Sequence, residues 1–267
     1  MKDALVVSLL SLVPRNHGAR AMGWLARTGA SRAFTRAFVA IYGVDLGEAE
    51  VPPGGFRNLE SLFTRTLRAG ARPLATADLV SPVDGRLAAW GKAGPNGLQI
   101  APGKFVNLAE LHGEPVSGAW DAAVLYLSPR DYHRVHSPIG ATVSRFVYRP
   151  GTLWPVFPAA VSRIDGLFAA NERVALHLDS TDGPMVCTLV GAFGVGRITW
   201  LGGGGLESNA GVGPAAGRVD VAVAAGGELG IFHLGSTVVL AWPSGRYRPL
   251  VNVGEPVRMG SALGVRA

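Results

Sequence analysis

Three short stretches hold side chains able to do chemistry. "SPVDGR", Ser81–Arg86, places Asp84 in a turn marked by Pro and Asp-Gly. "LSPRDYHRVHSPIG", Leu127–Gly140, sets His133 and His136 three apart, flanked by Arg130, Asp131 and Arg134. "LGST", Leu234–Thr237, drops Gly235 and Ser236 into an otherwise apolar, β-branched run, "IFHLGSTVVL". Small polar residues weaken such a run, so either the chain bends there or Ser236 reacts. Asp, His and Ser together are the composition of a nucleophilic triad, with an imidazole whose pKa lies near operating pH. The Gly-x-Ser-x-Gly elbow of lipases is absent. A His-x-x-His pair can also bind zinc, but no third ligand follows at a convincing spacing, and the arginines disfavour a dication. Two other readings stay open at this point. One is a metal-dependent hydrolase using His133, His136 and either His112 or Asp84; the other is a non-catalytic lipid-binding β-domain in which "LGST" is only a bend.

The elements that must position these residues follow from composition and pattern. The chain has 267 residues, 48% hydrophobic and 16% charged, enough to bury a sizeable core. Its 37 glycines and 18 prolines predict many turns and short strands. Apolar runs between turn residues, such as "DAAVLYLS", "ATVSRFVYRP", "RVALHLDS", "MVCTLVGAFGVGRITWL", "RVDVAVAAG" and "STVVLAWP", predict a β-rich body of many short, mainly antiparallel strands. "GGGG" at Gly202–Gly205 reads as a loop, since no Lys-Ser/Thr follows to make a phosphate cradle. The fold class is α+β, with an amphipathic helical region over residues 1–50 and a β-rich domain over 51–267. "VPPGG" marks the boundary, and a short helix opens at Asn58 as N-cap in "NLESLFTRTL".

The N-terminal region repeats apolar residues at helical spacing, in Leu5, Leu9 and Leu12 and again from Trp24 to Ile41. Lys2, Arg15, Arg20, Arg27, Arg32 and Arg36 face a single acid, Asp3, up to Val44. Such helices suit the plane of an anionic membrane, and equally a helical hairpin with a solvated basic face. The opening run resembles a signal peptide, but Asp3 and Pro14 make it an amphipathic helix that stays on the protein. A formal charge of +6 fits nucleic acid or anionic lipid. The lone Cys187 excludes an internal disulfide and reads as a buried small hydrophobe.

"SPVDGR", "YLSPRDYHRVHSPIG", "YRPGTLWPV", "LFAANERVAL" and "FHLGSTVVL" occur in this order, and the chain resembles the pyruvoyl-dependent phosphatidylserine decarboxylases from about Asn58 to Gly254. The resemblance implies self-cleavage between Gly235 and Ser236 into a large chain, 1–235, and a small chain, 236–267, with Ser236 becoming the pyruvoyl cofactor. It implies Asp84, His136 and Ser236 as the self-cleavage relay. Ser236 Oγ attacks the Gly235 carbonyl, and β-elimination with hydrolysis leaves a ketone. That carbonyl condenses with the substrate amine as a Schiff base and drains charge as CO2 leaves. His133 is then the proton donor or the carboxylate holder. The expected partners are phosphatidylserine in the membrane, the large chain with its own small chain, and a second copy in a homo-oligomer. Neither nucleic acid nor a metal is expected. The expected place is the cytoplasmic face of the cell membrane, as a peripheral protein. Two positions depart from the family's pattern. Pro102 precedes Gly103, with the lysine at Lys104, and His233 stands where a lysine or other residue is common; it either couples to the triad or, as expected here, takes a solvated strand position.

Overall fold

The computed structural model describes residues 15–193, 197–209, 211–233 and 236–267. The expected opening helix before Arg15 and Gly235 of the expected cleavage bond lie outside them. Helix α1 (Arg15–Arg27), a 3-10 turn (Gly29–Ser31) and α2 (Arg32–Tyr42) come first, followed by α3 (Leu59–Phe63). Asn58 caps α3 as expected, its side chain accepting from Ser61 N–H (2.8 Å) and the Ser61 hydroxyl answering the Asn58 N–H. The helix stops at Phe63, short of the expected "NLESLFTRTL", because Leu67 pairs with Ala49 and Thr66 accepts from the Glu50 N–H.

Strands dominate from there. In chain order they are β1 (Leu79–Val80), β2 (Gly85–Ala93), β3 (Leu98–Ala101), β4 (Lys104–Val106), β5 (Trp120–Leu127), β6 (Arg134–His136), β7 (Ala141–Arg149), β8 (Arg173–Ser180) and β9 (Gly183–Gly191). There follow β10 (Ile198–Trp200), β11 (Ala215–Val223), β12 (Glu228–Phe232), β13 (Ser236–Pro243), β14 (Tyr247–Pro249), β15 (Pro256–Val257) and β16 (Ala262–Arg266). Short helices α4 (Leu108–His112), α5 (Pro158–Val161) and α6 (Leu167–Ala170) fill connections.

The main sheet runs β11-β7-β8-β9-β13-β5-β2-β15 and is antiparallel throughout. A second sheet, β10-β12-β6, carries the histidine stretch. The β-rich expectation holds, with one division: "MVCTLVGAFGVGRITWL" supplies β9 to the main sheet and β10 to the second. Strand β13 sits near the middle of the main sheet, and every residue from Ser236 to Trp242 is buried. This explains its continuous apolar run: both faces are covered, so no polar alternation is needed. Cys187, opposite Leu240, is buried and unpaired, and burial pushes its thiol up to about 12.

Gly85, directly after Asp84, opens β2 against the backbone of β5. A Cβ there would collide with the Tyr126 carbonyl oxygen. Replacing Gly by Ala in a tolerant position stabilises by about 0.4–1 kcal/mol. Gly85→Ala should instead destabilise the chain by about 1–3 kcal/mol, as forced repacking does, measured as a lower urea midpoint at unchanged slope.

Candidate active site

Ser236 opens β13, its Cα opposite Leu127 of β5 and Gly191 of β9. Its side chain is wholly buried, and Oγ has no hydrogen-bond partner. His133, also wholly buried, lies just before β6, and Phe232 N–H donates to its carbonyl (2.9 Å). The end of β12 is thereby stitched to the histidine stretch four residues before Ser236. Phe63 of α3 covers the His133 ring, with centroids 4.3 Å apart.

The two histidines are held alike. His133 Nδ1 is 2.8 Å from the Asp131 carbonyl, and His136 Nδ1 is 2.8 Å from the Gly226 carbonyl. A carbonyl only accepts, so this network assigns the proton to Nδ1 in both rings and leaves Nε2 as the basic nitrogen. His133 Nε2 has no partner, while Tyr132 Oη donates to His136 Nε2 (3.1 Å). Burial, opposed by the Asp131 carbonyl, pushes the His133 imidazole down to about 3. Burial also lowers His136, against the Gly226 carbonyl and the charges of Glu228 and Asp84. Both rings are therefore neutral at neutral pH.

Asp84 approaches from the other side. The turn it belongs to is tied to β6 by His136 N–H donating to the Pro82 carbonyl (2.9 Å). Its carboxylate, however, faces Arg72, in a two-pronged contact of 2.9 and 2.5 Å, and also accepts from Met259 N–H (2.8 Å). Arg72 is shared with Glu48 (2.9 Å), and these hydrogen bonds raise its guanidinium further above its ordinary range. Asp84 and His136 thus occupy neighbouring segments without a direct hydrogen bond, and the Gly226 carbonyl fills the place at Nδ1.

Sequence reading passed over Arg72, Tyr132 and Gly226. Tyr132 is inside the histidine motif, whereas Arg72 lies in "ARPLA", outside all three stretches singled out for chemistry. His233 is not solvated as expected: its side chain is 11% exposed, and Nδ1 lies 2.8 Å from Glu60 Oε1. Lys104 is committed to Asp165 (2.7 Å). Among the described residues no trio of His, Cys, Asp or Glu is arranged to hold a metal ion. His133 and His136 are each turned to their own carbonyl, and His112 ends α4.

Buried polar atoms without partners cost about 1–3 kcal/mol each and call for an explanation. Several occur across the described residues, but Arg65 Nε, His133 Nε2, Ser236 Oγ and Thr237 Oγ1 belong to segments converging here. Arg65 joins them by donating to the carbonyls of Arg130 (3.0 Å) and Asp131 (3.3 Å). A buried serine hydroxyl and a buried imidazole nitrogen, each with nothing to bond, suit bond-making chemistry better than packing.

The chain is similar to known proteins over nearly its whole length. The family model for phosphatidylserine decarboxylase matches residues 59–265, from α3 through β16. A phosphatidylserine decarboxylase proenzyme of Azoarcus sp. (strain BH72) is 38% identical, covering 99% of this chain and 96% of its own. One from Anaeromyxobacter sp. (strain K) is 39% identical over 99% of both, and one from Delftia acidovorans is 36% identical over 100% and 99%.

The buried neutral imidazoles set a stability trend. His133 and His112 are both held at about 3 by burial, below the unfolded value near 6.5. Their contribution is fully present above pH 6.5 and is lost as pH falls toward the folded value, because only the unfolded chain takes up the protons. Stability should therefore decline below about pH 6.5, by up to about 1.4 kcal/mol per pH unit for each ring. In urea titrations across this range, His133→Gln should show a shallower decline than the parent chain.

Proposed function

The chain belongs to the phosphatidylserine decarboxylase family, and on that premise we propose that it removes CO2 from phosphatidylserine, leaving phosphatidylethanolamine, after converting its own Ser236 into a pyruvoyl group. The observation that carries this reading is Ser236 itself: a buried hydroxyl, unbonded, at the head of a strand anchored on both edges.

Maturation begins with a proton leaving Ser236 Oγ. His136 is the base: burial keeps it neutral, and Gly226 fixes the tautomer that frees Nε2. Tyr132 Oη, already bonded to Nε2, stands on the proton's path. Asp84 supports the imidazolium through its charge rather than through a shared hydrogen, and Arg72 keeps that carboxylate in place. Oγ adds to the Gly235 carbonyl carbon, and the peptide C–N bond breaks to give an ester and a free amine. Loss of the Ser236 α-proton expels the Gly235 carboxylate and leaves dehydroalanine. Hydrolysis of its enamine releases ammonia and leaves the keto group. Ser236 fits as the origin of that group, since its buried oxygen forms no bond that conversion would sacrifice.

When formed, the keto group supplies an electron sink for the pair left behind by CO2. The rest falls to this chain's side chains. His133 has its N–H committed to Asp131, so it has no donor to offer a carboxylate in the neutral form. Its bare Nε2 instead takes up a proton and hands it to the substrate α-carbon in place of CO2. Phe63 screens that nitrogen from water.

Lipid delivery is assigned to the N-terminal helices. Helix α2 buries none of its residues fully, and Trp24 (64%), Phe34 (60%) and Ile41 (76%) stand exposed among Arg20, Arg27, Arg32 and Arg36. Apolar and cationic residues so mixed suit an anionic membrane surface, each cation adding about 1 kcal/mol there. An apolar cavity of about 580 Å3, lined by Met22, Leu25, Phe34, Phe38, Phe63 and Phe193, leads from this face to Phe63. It gives an acyl chain a route that ends against the aromatic ring covering His133. No helix among the described residues is long and apolar enough to cross a membrane. In this reading the basic, apolar face of the first helices attaches peripherally, at the cytoplasmic side.

Intact mass spectrometry of the purified protein tests the central claim. It should find two chains, ending at Gly235 and starting at a ketone derived from Ser236; a single chain with an intact serine in active protein would refute it. Ser236→Ala should stay uncut, and His136→Ala should cut at least about 100-fold more slowly. His133→Ala should still cut, yet lose decarboxylation by about 100-fold or more. For the membrane face, Phe34→Asp with Ile41→Asp should reduce sedimentation with vesicles containing anionic lipid while self-cleavage persists. Unchanged sedimentation would remove α2 from that role.

A further inference from the structure

The segment entering β13 crosses from one sheet to another. Strand β12 ends at Phe232 in the β10-β12-β6 sheet, β13 begins at Ser236 in the main sheet, and only residues 233–235 lie between. On the downstream side, Ser236 is fixed by ladders to β5 and β9. On the upstream side the anchor is His233. Its N–H donates to the Arg197 carbonyl (3.0 Å), and its ring lies with Nδ1 2.8 Å from Glu60 Oε1 and Nε2 3.3 Å from Thr199 Oγ1.

Glu60 does not serve His233 alone. The same Oε1 accepts from Arg197 Nη2 (2.8 Å), and Arg197 Nη1 reaches Glu207 (2.6 Å). Burial works against ionisation of Glu60, but His233 and Arg197 outweigh it and hold the carboxyl below its ordinary range. The side chains of His233, Glu60 and Arg197 are 11%, 16% and 20% exposed. Ion pairs so enclosed carry a desolvation cost that good geometry only offsets, so stability alone is a weak reason for them. What this cluster does in addition is join three separate pieces of chain: α3, the approach to β10, and the residue three before Ser236. Helix α3 is itself bolted to the first helices, since Asn58 Nδ2 donates to the Arg27 carbonyl (2.7 Å) and Leu59 N–H to Ser31 Oγ (2.9 Å).

We propose that Glu60 and Arg197 are positioning residues for self-cleavage, clamping His233 so that the carbonyl preceding Ser236 is presented to its hydroxyl. The proposal rests on the self-cleavage reading and extends it to residues that touch neither Ser236 nor the substrate. Attack on the adjacent carbonyl demands a narrow geometry, and small misplacements of reacting atoms are costly. With one end of the short connection set by the main sheet, the other end must also be fixed, and the Glu60 contact fixes it.

The test follows the conversion of freshly translated full-length precursor into two chains, alongside decarboxylation per cut chain and the melting temperature of each variant. Glu60→Ala and His233→Ala should each slow conversion by about ten-fold, the rate equivalent of losing one hydrogen bond to a charged group. Glu60→Ala/His233→Ala should be no slower than either alone, because the two act as one contact. His233→Lys, which restores a donor to Glu60, should recover most of the rate. Turnover per cut chain should be unchanged, which separates positioning from general damage to the fold. Glu60→Leu, close in volume but without an acceptor, gives the same comparison if the alanine variant folds poorly. Cutting of Glu60→Ala and His233→Ala at the parent rate would overturn the proposal, as would additive slowing or a parallel loss of turnover per cut chain. A parent chain that never cuts would instead overturn the reading of Ser236.

Discussion

Strand β13 is hydrogen-bonded along both edges, to β5 from Leu127 to Trp120 and to β9 from Gly191 to Val186. Ser236 therefore has no freedom of register, since a one-residue slip would turn every side chain of the strand to the opposite face. The serine is placed by main-chain ladders rather than by a loop. Everything else in the site is arranged around a point the sheet has already determined. His133 is brought to it by β6 and β12, and Asp84 by the turn entering β2, where Gly85 admits the close passage of Tyr126.

Charge is distributed around this point by a simple division. Both imidazoles of the Asp131–His136 stretch give their N–H to a main-chain carbonyl, are buried and stay uncharged. The carboxylate that might have bonded one of them is matched instead by Arg72, which also serves Glu48. Neutral bases sit on the inner side, and compensated ions sit behind them. The two histidines of one motif also differ in what meets Nε2, a tyrosine hydroxyl for His136 and nothing for His133. That difference suits two successive tasks at one site.

Much of this was legible as pattern. "RVALHLDS" is β8 and "STVVLAWP" is β13; the second, buried on both faces, needs no polar alternation. The Asn58 cap was also readable, since a cap is a local device. The end of α3 was not, because Thr66 and Leu67 were captured by Glu50 and Ala49, a tertiary pairing that overrides helix propensity. Partners distant in sequence left no trace in spacing. Glu60 and His233 are 173 residues apart, and Gly226 meets His136 across 90. The residues of the site were recognisable, but their hydrogen-bonding partners were not.

The central place of β13 has a consequence for the life history of the molecule. If the backbone is severed at its first residue, the short C-terminal piece does not diffuse away, since its opening strand is locked between two neighbours and two further strands, β15 and β16, pair with β2 and β1 of the remainder. The precursor folds as one molecule, with the strand's search for its slot confined by a tether. The severed product, once denatured, would have to find that slot as a bimolecular encounter, without the loop that guided it. Unfolding after maturation is thus nearly a one-way event, and the persistence of the working protein depends on how slowly it opens rather than on how readily it refolds.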